Sequence, residues 1–523
     1  MKSNKINQIK WGVILTYVTL FLNILVSLLY TPAMLHILGP SEHGLYSTVS
    51  STIAWLSLLN LGLNSSYIRF YTRCRNNEQE DKLENLNGMF LIIFCALGLI
   101  ALLCGLFLAN HLDLVFSQGL TEQEYVTARL LAIIITVEMA IGFPATVFNS
   151  IIRAKEKFVA VRLVHLCQSI ASPMITLPLL LIGYGSVAMV AVTTLVNAGA
   201  YLFYVIYCFG KLRVKFRFTQ FDGTLIKEIA AYSGLIAANS LINQVNTNLD
   251  KVLLARYINT ACVSVYTIGY SLYSYYSSFS SAIMGNIIPR IHKLVEENIA
   301  DKVKLRKCLT EQFIKFGRIQ LYIQMLMMTG IIFFGKPFIS FWAGNGYENA
   351  YYVAVLLCAA ATIPLCQSVG IEIQRAQNKH KFRTVLYSVM TVINIVLTVI
   401  LCPIYGEIGA AVGTAIAVLT VDVIVMNIYY HKKLHIDVVA FWKNVSCIAV
   451  GFVIPIMVGW GITRYIVIDR FWVLLVCIAV YTAVYGISVV GLSMNRKERE
   501  MVFGKVLRRL RKNENGLPDR QAE

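Results

Sequence analysis

Fourteen apolar stretches of roughly 20 residues each, separated by short loops, occupy almost the whole of this 523-residue chain. They lie near residues 11–35, 45–66, 86–109, 126–151, 159–182, 186–209 and 229–255. The second seven lie near 262–287, 312–335, 351–373, 384–405, 407–430, 444–464 and 471–493. A helix rises about 1.5 Å per residue, so each stretch is long enough to cross a hydrocarbon core about 30 Å thick. Composition agrees, with 57% hydrophobic and 14% charged residues, where a soluble domain carries roughly a quarter charged. The expected fold class is therefore an all-α integral membrane protein with 14 transmembrane helices. The first stretch follows Lys2, Lys5 and Lys10 as a signal peptide would, but is too long for the apolar core of one, and reads as an uncleaved first helix.

Charge sets the expected orientation. With the N-terminus in the cytoplasm and loops alternating, 40 of the 46 Lys and Arg fall inside. The other six are Arg129, Lys251, Arg256, Lys336, Arg464 and Arg470. Cytoplasmic loops collect Lys and Arg, so both ends are expected in the cytoplasm. The net charge of +18 follows from this bias and from attraction to anionic lipid heads, with no nucleic acid needed. The 12 cysteines are scattered without a Cys-x-x-Cys pair and read as small packing residues.

Landmarks in the first half recur about 220 residues later. Asn23 matches Asn243, Tyr46 matches Tyr266, Pro144 matches Pro364, Tyr184-Gly185 matches Tyr405-Gly406, and Ile152-Arg153-Ala154 matches Gln374-Arg375-Ala376, all at offsets of 220 to 222. Six spans per copy is an even number, so the copies run parallel, related by a pseudo-two-fold axis along the membrane normal. The expected organisation is an N-lobe over 1–210, a cytoplasmic linker over 211–228 and a C-lobe over 229–430. Two added spans follow over 431–493, then a basic cytoplasmic tail over 494–523. In the tail, Met501, Val502, Val506, Leu507 and Leu510 recur at roughly helical spacing, as in an interfacial helix.

Each lobe opens on a helix with a polar stripe. Thr16, Thr19, Asn23, Ser27 and Tyr30 share one face of the first span, and Asn239, Asn243, Asn246 and Asp250 share one face of the seventh. Polar groups facing lipid are costly, so the stripes should face water or protein. A hydrated central cavity and interhelical hydrogen bonding both satisfy that demand.

Glu138, Asp250, Lys251 and Asp422 lie within spans, where an ionisable group marks a functional site or a structural pair. Glu138 and Asp250 are the ion-coupling candidates. Arg69, Arg153, Arg290 and Arg375 lie near the cytoplasmic face, Arg69 and Arg290 being 221 apart and Arg153 and Arg375 222 apart. The guanidinium fork suits a phosphate, while positive-inside anchoring places arginines at the same level. Tyr266 and Tyr270 of the eighth span present an aromatic face with hydroxyl tips, suited to a sugar path or to packing.

No catalytic constellation, metal-ligand spacing or phosphate-cradling Gly loop is present, so no enzyme chemistry and no cofactor or metal is expected. The stretch Leu29-Tyr30-Thr31-Pro32 through Leu38-Gly39-Pro40-Ser41-Glu42-His43-Gly44-Leu45-Tyr46 resembles the opening of Wzx-type polysaccharide flippases. Asn248-Leu249-Asp250-Lys251-Val252-Leu253-Leu254 onward to Tyr266 resembles their seventh and eighth helices. These exporters belong with multidrug extruders and lipid II flippases in one superfamily. The resemblance implies alternating access between two lobes and a polyprenyl-pyrophosphate-linked oligosaccharide as cargo, in the cytoplasmic membrane of a bacterium. It implies membrane lipids, a glycan polymerase and chain-length machinery as partners. Arg69, Arg153, Lys251, Arg290 and Arg375 stand where the cationic cavity is expected, with Asn23, Asn239, Asn243, Asn246, Tyr266 and Tyr270 beside it. The first span carries no arginine, unlike lipid II flippases, which favours capsular or exopolysaccharide repeat units as cargo. A cation-coupled drug extruder of the same fold is the first alternative, and a membrane glycan polymerase the second.

Overall fold

A computed structural model of the protein describes residues 2–60, 62–76, 80–116, 120–218, 223–285, 287–298, 301–377, 379, 381–496 and 498–499. Among them all regular structure is helical. The helices of the first half are α1 (Lys2–Ala54), α2 (Leu63–Asn76), α3 (Glu80–Asn110), α4 (Glu122–Ala154), α5 (Phe158–Ile182), α6 (Gly185–Ile206) and α7 (Gly223–Tyr257). Then come α8 (Thr260–Gly285), α9 (Ile288–Glu297), α10 (Lys302–Trp342), α11 (Ala350–Cys366), α12 (Ser368–Ala376) and α13 (Lys381–Val418). The series ends with α14 (Met426–Lys432), α15 (Val438–Ile448), α16 (Val450–Tyr465) and α17 (Phe471–Ser488). The interfacial helix expected over Met501–Leu510 lies outside the described residues.

Among the described residues nine helices are long and apolar enough to cross a membrane, or eleven when two bent pairs each count as one crossing. Two of the nine run through a glycine in a conformation that side chains disfavour: Gly39 (φ 72°) divides α1, and Gly406 (φ 58°) divides α13. Splitting both at the glycine, and adding α8 with its run of serines and tyrosines, is consistent with fourteen crossings. Gly406 and its 221-residue counterpart Gly185 (φ 67°) both turn the chain between successive apolar stretches, which gives that recurrence a backbone cause.

The chain packs as two compact units. The first comprises Met1–Tyr275, Trp342–Leu357 and Arg383–Ala417, and the second comprises Tyr276–Phe341, Cys358–Phe382 and Val418–Glu523. In the first unit, α3 lies along α4, α5 along α1 and α6, and α7 along α1. Its core is aromatic: Tyr67, Tyr71, Phe90, Phe94, Phe143 and Phe148 are buried, with the Tyr67 hydroxyl donating to Asn87 Oδ1 at 2.6 Å. Pro144 cannot hydrogen-bond to the Ala140 carbonyl one turn back. A Cβ on Gly98 of α3 would stand 2.7 Å from that oxygen, so a glycine lets the two helices meet where the proline loosens α4.

In the second unit Phe313 of α10 packs edge-on against Tyr430 and beside Phe441, at 5.6 and 4.9 Å between ring centres. The Arg318 guanidinium, buried in α10, donates from Nε and Nη2 to Glu498 at 2.7 and 2.9 Å, and Tyr322 donates to the same carboxylate at 3.2 Å. This buried ion pair fastens the segment after α17 to α10.

Candidate functional site

Two carboxylates of the first unit organise its polar interior. Asp250 lies in the last third of α7 and is 2% exposed. Its Oδ2 accepts from the Tyr266 hydroxyl of α8 at 2.6 Å and from Thr414 Oγ1 at 2.9 Å, and its Oδ1 accepts from Thr398 Oγ1 at 3.3 Å. Thr398 and Thr414 stand on the two sides of the Gly406 break, so the break brings both halves of α13 to one acid. Both hydroxyls also lie within reach of Asn394 Oδ1, at 3.3 and 3.1 Å. Each hydroxyl has one hydrogen to give, so Tyr266, Thr398 and Thr414 together only just supply the two Asp250 oxygens and Asn394 Oδ1, with none to spare. Such an oxygen-rich node suits a proton or a small hard cation. Among the described residues no group of three His, Cys, Asp or Glu gathers to hold a metal ion.

Lys251 follows Asp250 in the chain, and its ammonium lies over the Tyr270 ring, 5.6 Å from the centre. Tyr270 stacks on Tyr266 at 6.3 Å and meets Tyr273 at 5.4 Å. Tyr266 is buried with its hydroxyl committed to Asp250, so of the two tyrosines only Tyr270 keeps a partly exposed face.

Glu138 is half-buried in α4. It accepts from Thr194 Oγ1 at 2.9 Å and from Asn197 Nδ2 at 2.6 Å, both on α6, and Asn197 in turn accepts from Gln168 of α5 at 2.8 Å. Glu138 also lines a cavity of about 280 Å³ with Asn60, Asn149 and Tyr201.

The asparagine stripes divide between bonded and open members. Asn239 and Asn246 accept from Thr384 and Thr391 of α13 at 3.3 and 3.2 Å; Asn239, Asn23 and Asn243 are exposed, and Asn246 is half-buried. Ser27 of the α1 stripe hydrogen-bonds to Tyr275 of α8.

Both ends of this helix group are fastened. At one end, Ser41 bonds Thr260 at 3.2 Å, His43 bonds Ser264 at 2.6 Å, and Ser264 donates to Tyr347 at 3.2 Å. Gly44 lies against the Thr260 carbonyl so closely that no Cβ would fit. At the other end, Ser66 of α2 bonds Ser233 of α7 at 2.6 Å, the Arg69 guanidinium lies 4.3 Å over the Tyr232 ring, and Arg73 pairs with Glu228 at 2.9 Å.

The remaining arginines have separate settings. Arg153 donates to Asn149 at 2.8 Å and lies within Coulombic range of Arg162. In the second unit Arg375 of α12 pairs with Glu372 at 2.7 Å, a carboxylate that His292 of α9 also approaches at 4.0 Å. Arg290 of α9 is exposed. Thus Asp250, Tyr266, Lys251 and Tyr270 come together, and Glu138 is apart from them in its own network.

Sequence reading did not single out Asn394, Thr398 and Thr414, nor the partners of Glu138. The signal was present: Thr391, Asn394 and Thr398 recur at spacings of three and four on α13, the same pattern that marked α1 and α7.

The chain matches the family described as "Polysaccharide biosynthesis protein" over residues 9–295. A search of curated proteins gives no match. Among solved structures it is similar to the lipid II flippase MurJ in an inward closed conformation, at 16% identity and a TM-score of 0.70, covering 95% of this chain and 100% of that one. It is also similar to an inward-facing multidrug resistance MATE family transporter of the MOP superfamily, at 15% identity and a TM-score of 0.62, covering 78% and 96%. The MATE multidrug transporter DinF-BH aligns at 16% identity and a TM-score of 0.54, covering 81% and 96%. A multi-pass membrane protein with the fold of the MOP exporters, the chain belongs to the polysaccharide biosynthesis protein family.

Proposed function

We propose that this protein is a flippase that carries polyprenyl-pyrophosphate-linked oligosaccharide repeat units across the cytoplasmic membrane of a bacterium, for capsular, exopolysaccharide or O-antigen-type synthesis. Six-helix lobes over 1–210 and 229–430 rock about a central cavity, with both termini in the cytoplasm. The observation that carries this reading is the exposure of Asn23 and Asn243 in the middle of apolar helices. An asparagine open to hydrocarbon would lack partners, so these two open onto water, and family membership supplies the glycan.

Asp250 takes up the coupling proton or cation, while Glu138, the other candidate, ties α4 to α6 through Thr194 and Asn197. Arg69, Arg153, Lys251, Arg290 and Arg375 receive the pyrophosphate, Asn239 and Asn246 hold the α7 stripe against α13, and Tyr270 adjoins the sugar, backed by the buried Tyr266. The contacts at Ser41–Thr260 and Ser66–Ser233 act as the two gates, opened in turn. A glycan polymerase and chain-length machinery take the product.

The experiment is translocation of labelled lipid-linked glycan in proteoliposomes. Flipping unchanged after neutralising all five basic residues together would overturn the cationic-cavity assignment. A second reading, cation-coupled drug extrusion, has the MATE-like fold in its favour; drug efflux without glycan flipping in the same vesicles would establish it instead.

A further inference from the structure

A groove between α5 and α6 plays no part in the transport reading. It holds about 600 Å³ of space and takes its walls from one face of each helix, with Ala160, Leu163 and Cys167 on α5 and Gly199 and Phe203 on α6. Thr194 and Asn197 of α6 turn elsewhere, to Glu138. A Cβ on Gly199 would meet nothing within 4 Å, so the floor of the groove is open. Leu195, Leu202 and Ile206 are exposed on its flank, which places the groove in apolar surroundings on helices that span the membrane.

The two ends of the groove differ. Lys157 precedes the first residue of α5, and Lys211 closes the turn of π-helix (Tyr207–Lys211) after α6. The helices are antiparallel neighbours, so both ammonium groups stand at the same end. Lys211 lies 5.4 Å over the Tyr207 ring. Among the described lining residues none is acidic. From Lys157 to Ala171, α5 rises roughly 21 Å. One leaflet, half the hydrocarbon core plus its headgroup layer, measures roughly 20–22 Å. The groove therefore runs from headgroup level to mid-bilayer.

We propose that this groove seats one anionic phospholipid, with an acyl chain along Cys167 and Gly199 and its phosphate between Lys157 and Lys211. A chain confined to one leaflet matches the length of the groove, and two lysines at one end of a lining without acidic residues select a net negative head. The seat is independent of what the protein transports.

The test is lipid retention by the full-length purified protein, read by native mass spectrometry after exchange with phosphatidylglycerol, phosphatidylcholine of the same chains, or a polyprenyl phosphate. Phosphatidylglycerol is expected to be retained over phosphatidylcholine. Lys157→Gln and Lys211→Gln should each weaken that preference roughly fivefold, and together roughly 25-fold. Gly199→Leu, which fills the floor, should lower retention of both phospholipids while the melting temperature holds. Equal retention of the two phospholipids by the wild-type protein would overturn the proposal, whatever the variants do. So would displacement of phosphatidylglycerol by the polyprenyl phosphate, retention unmoved by the double substitution, or a stable dimer that covers the groove and excludes lipid.

Discussion

Glu138 and Asp250 are both carboxylates deep in apolar helices, and the protein holds them in different ways. Glu138 is half-buried, borders a cavity of about 280 Å³ and receives an amide and a hydroxyl hydrogen. Asp250 is 2% exposed and receives hydroxyl hydrogens only, two of them shared with Asn394. A carboxylate beside open polar space has room for water as a further partner. One sealed away from water depends wholly on the partners the protein supplies. Position in a membrane span marks both acids as unusual, and access to open polar space is what distinguishes one from the other.

Glu498 calibrates the comparison, because there the carboxylate has its cation. Removing that partner with Arg318→Met should cost about 3–5 kcal/mol, the usual cost of stranding one member of a buried pair, read as a loss of thermal stability in detergent. Burial pushes the Glu498 carboxyl up, but the Arg318 hydrogen bond and charge, with the Asn495 backbone N–H and Tyr322, hold it below the usual range. A depressed carboxyl contributes stability above its unfolded pKa of about 4.3 and loses it as pH falls through the folded value. Acidification below about pH 4.3 should therefore lower the melting temperature, and Glu498→Gln should flatten that fall.

Next in size is Asp250→Asn, which keeps the shape of the side chain and abolishes its charge. It should lower flipping about 100-fold, the equivalent of about 2.7 kcal/mol, with little change in melting temperature. Thr414→Val removes one hydroxyl from the same node and should lower flipping about tenfold, about 1.4 kcal/mol, near the worth of one hydrogen bond to a charged group. Glu138→Gln should change flipping by about threefold or less, since the amide keeps an acceptor for Asn197. If Glu138→Gln proved as damaging as Asp250→Asn, the contrast between the two acids would collapse, and both would be coupling sites.

Much of the architecture was legible because apolar length and polar periodicity are properties of the chain itself. Asp250 and Glu138 could be picked out as charges in apolar stretches, and Asn23 and Asn243 as members of polar stripes. Their partners were harder to find. Thr398 and Thr414 straddle Gly406, and nothing in the spacing of either stretch says that a glycine at φ 58° folds both toward α7. The pairing of Arg375 with Glu372 was readable at three residues apart, yet its approach by His292 depends on how α9 meets α12. Gly44 looked like one residue of a motif, and its demand for a bare backbone comes from the Thr260 carbonyl, far along the chain.

The most direct measurement is flipping of labelled polyprenyl-pyrophosphate-linked oligosaccharide in proteoliposomes, with and without an imposed ion gradient, comparing wild type with Asp250→Asn. Gradient-stimulated flipping by the wild type, with the stimulation gone in Asp250→Asn, is the expected result. Equal stimulation in both proteins would contradict the account, since the sealed acid of α7 would then have no part in driving transport.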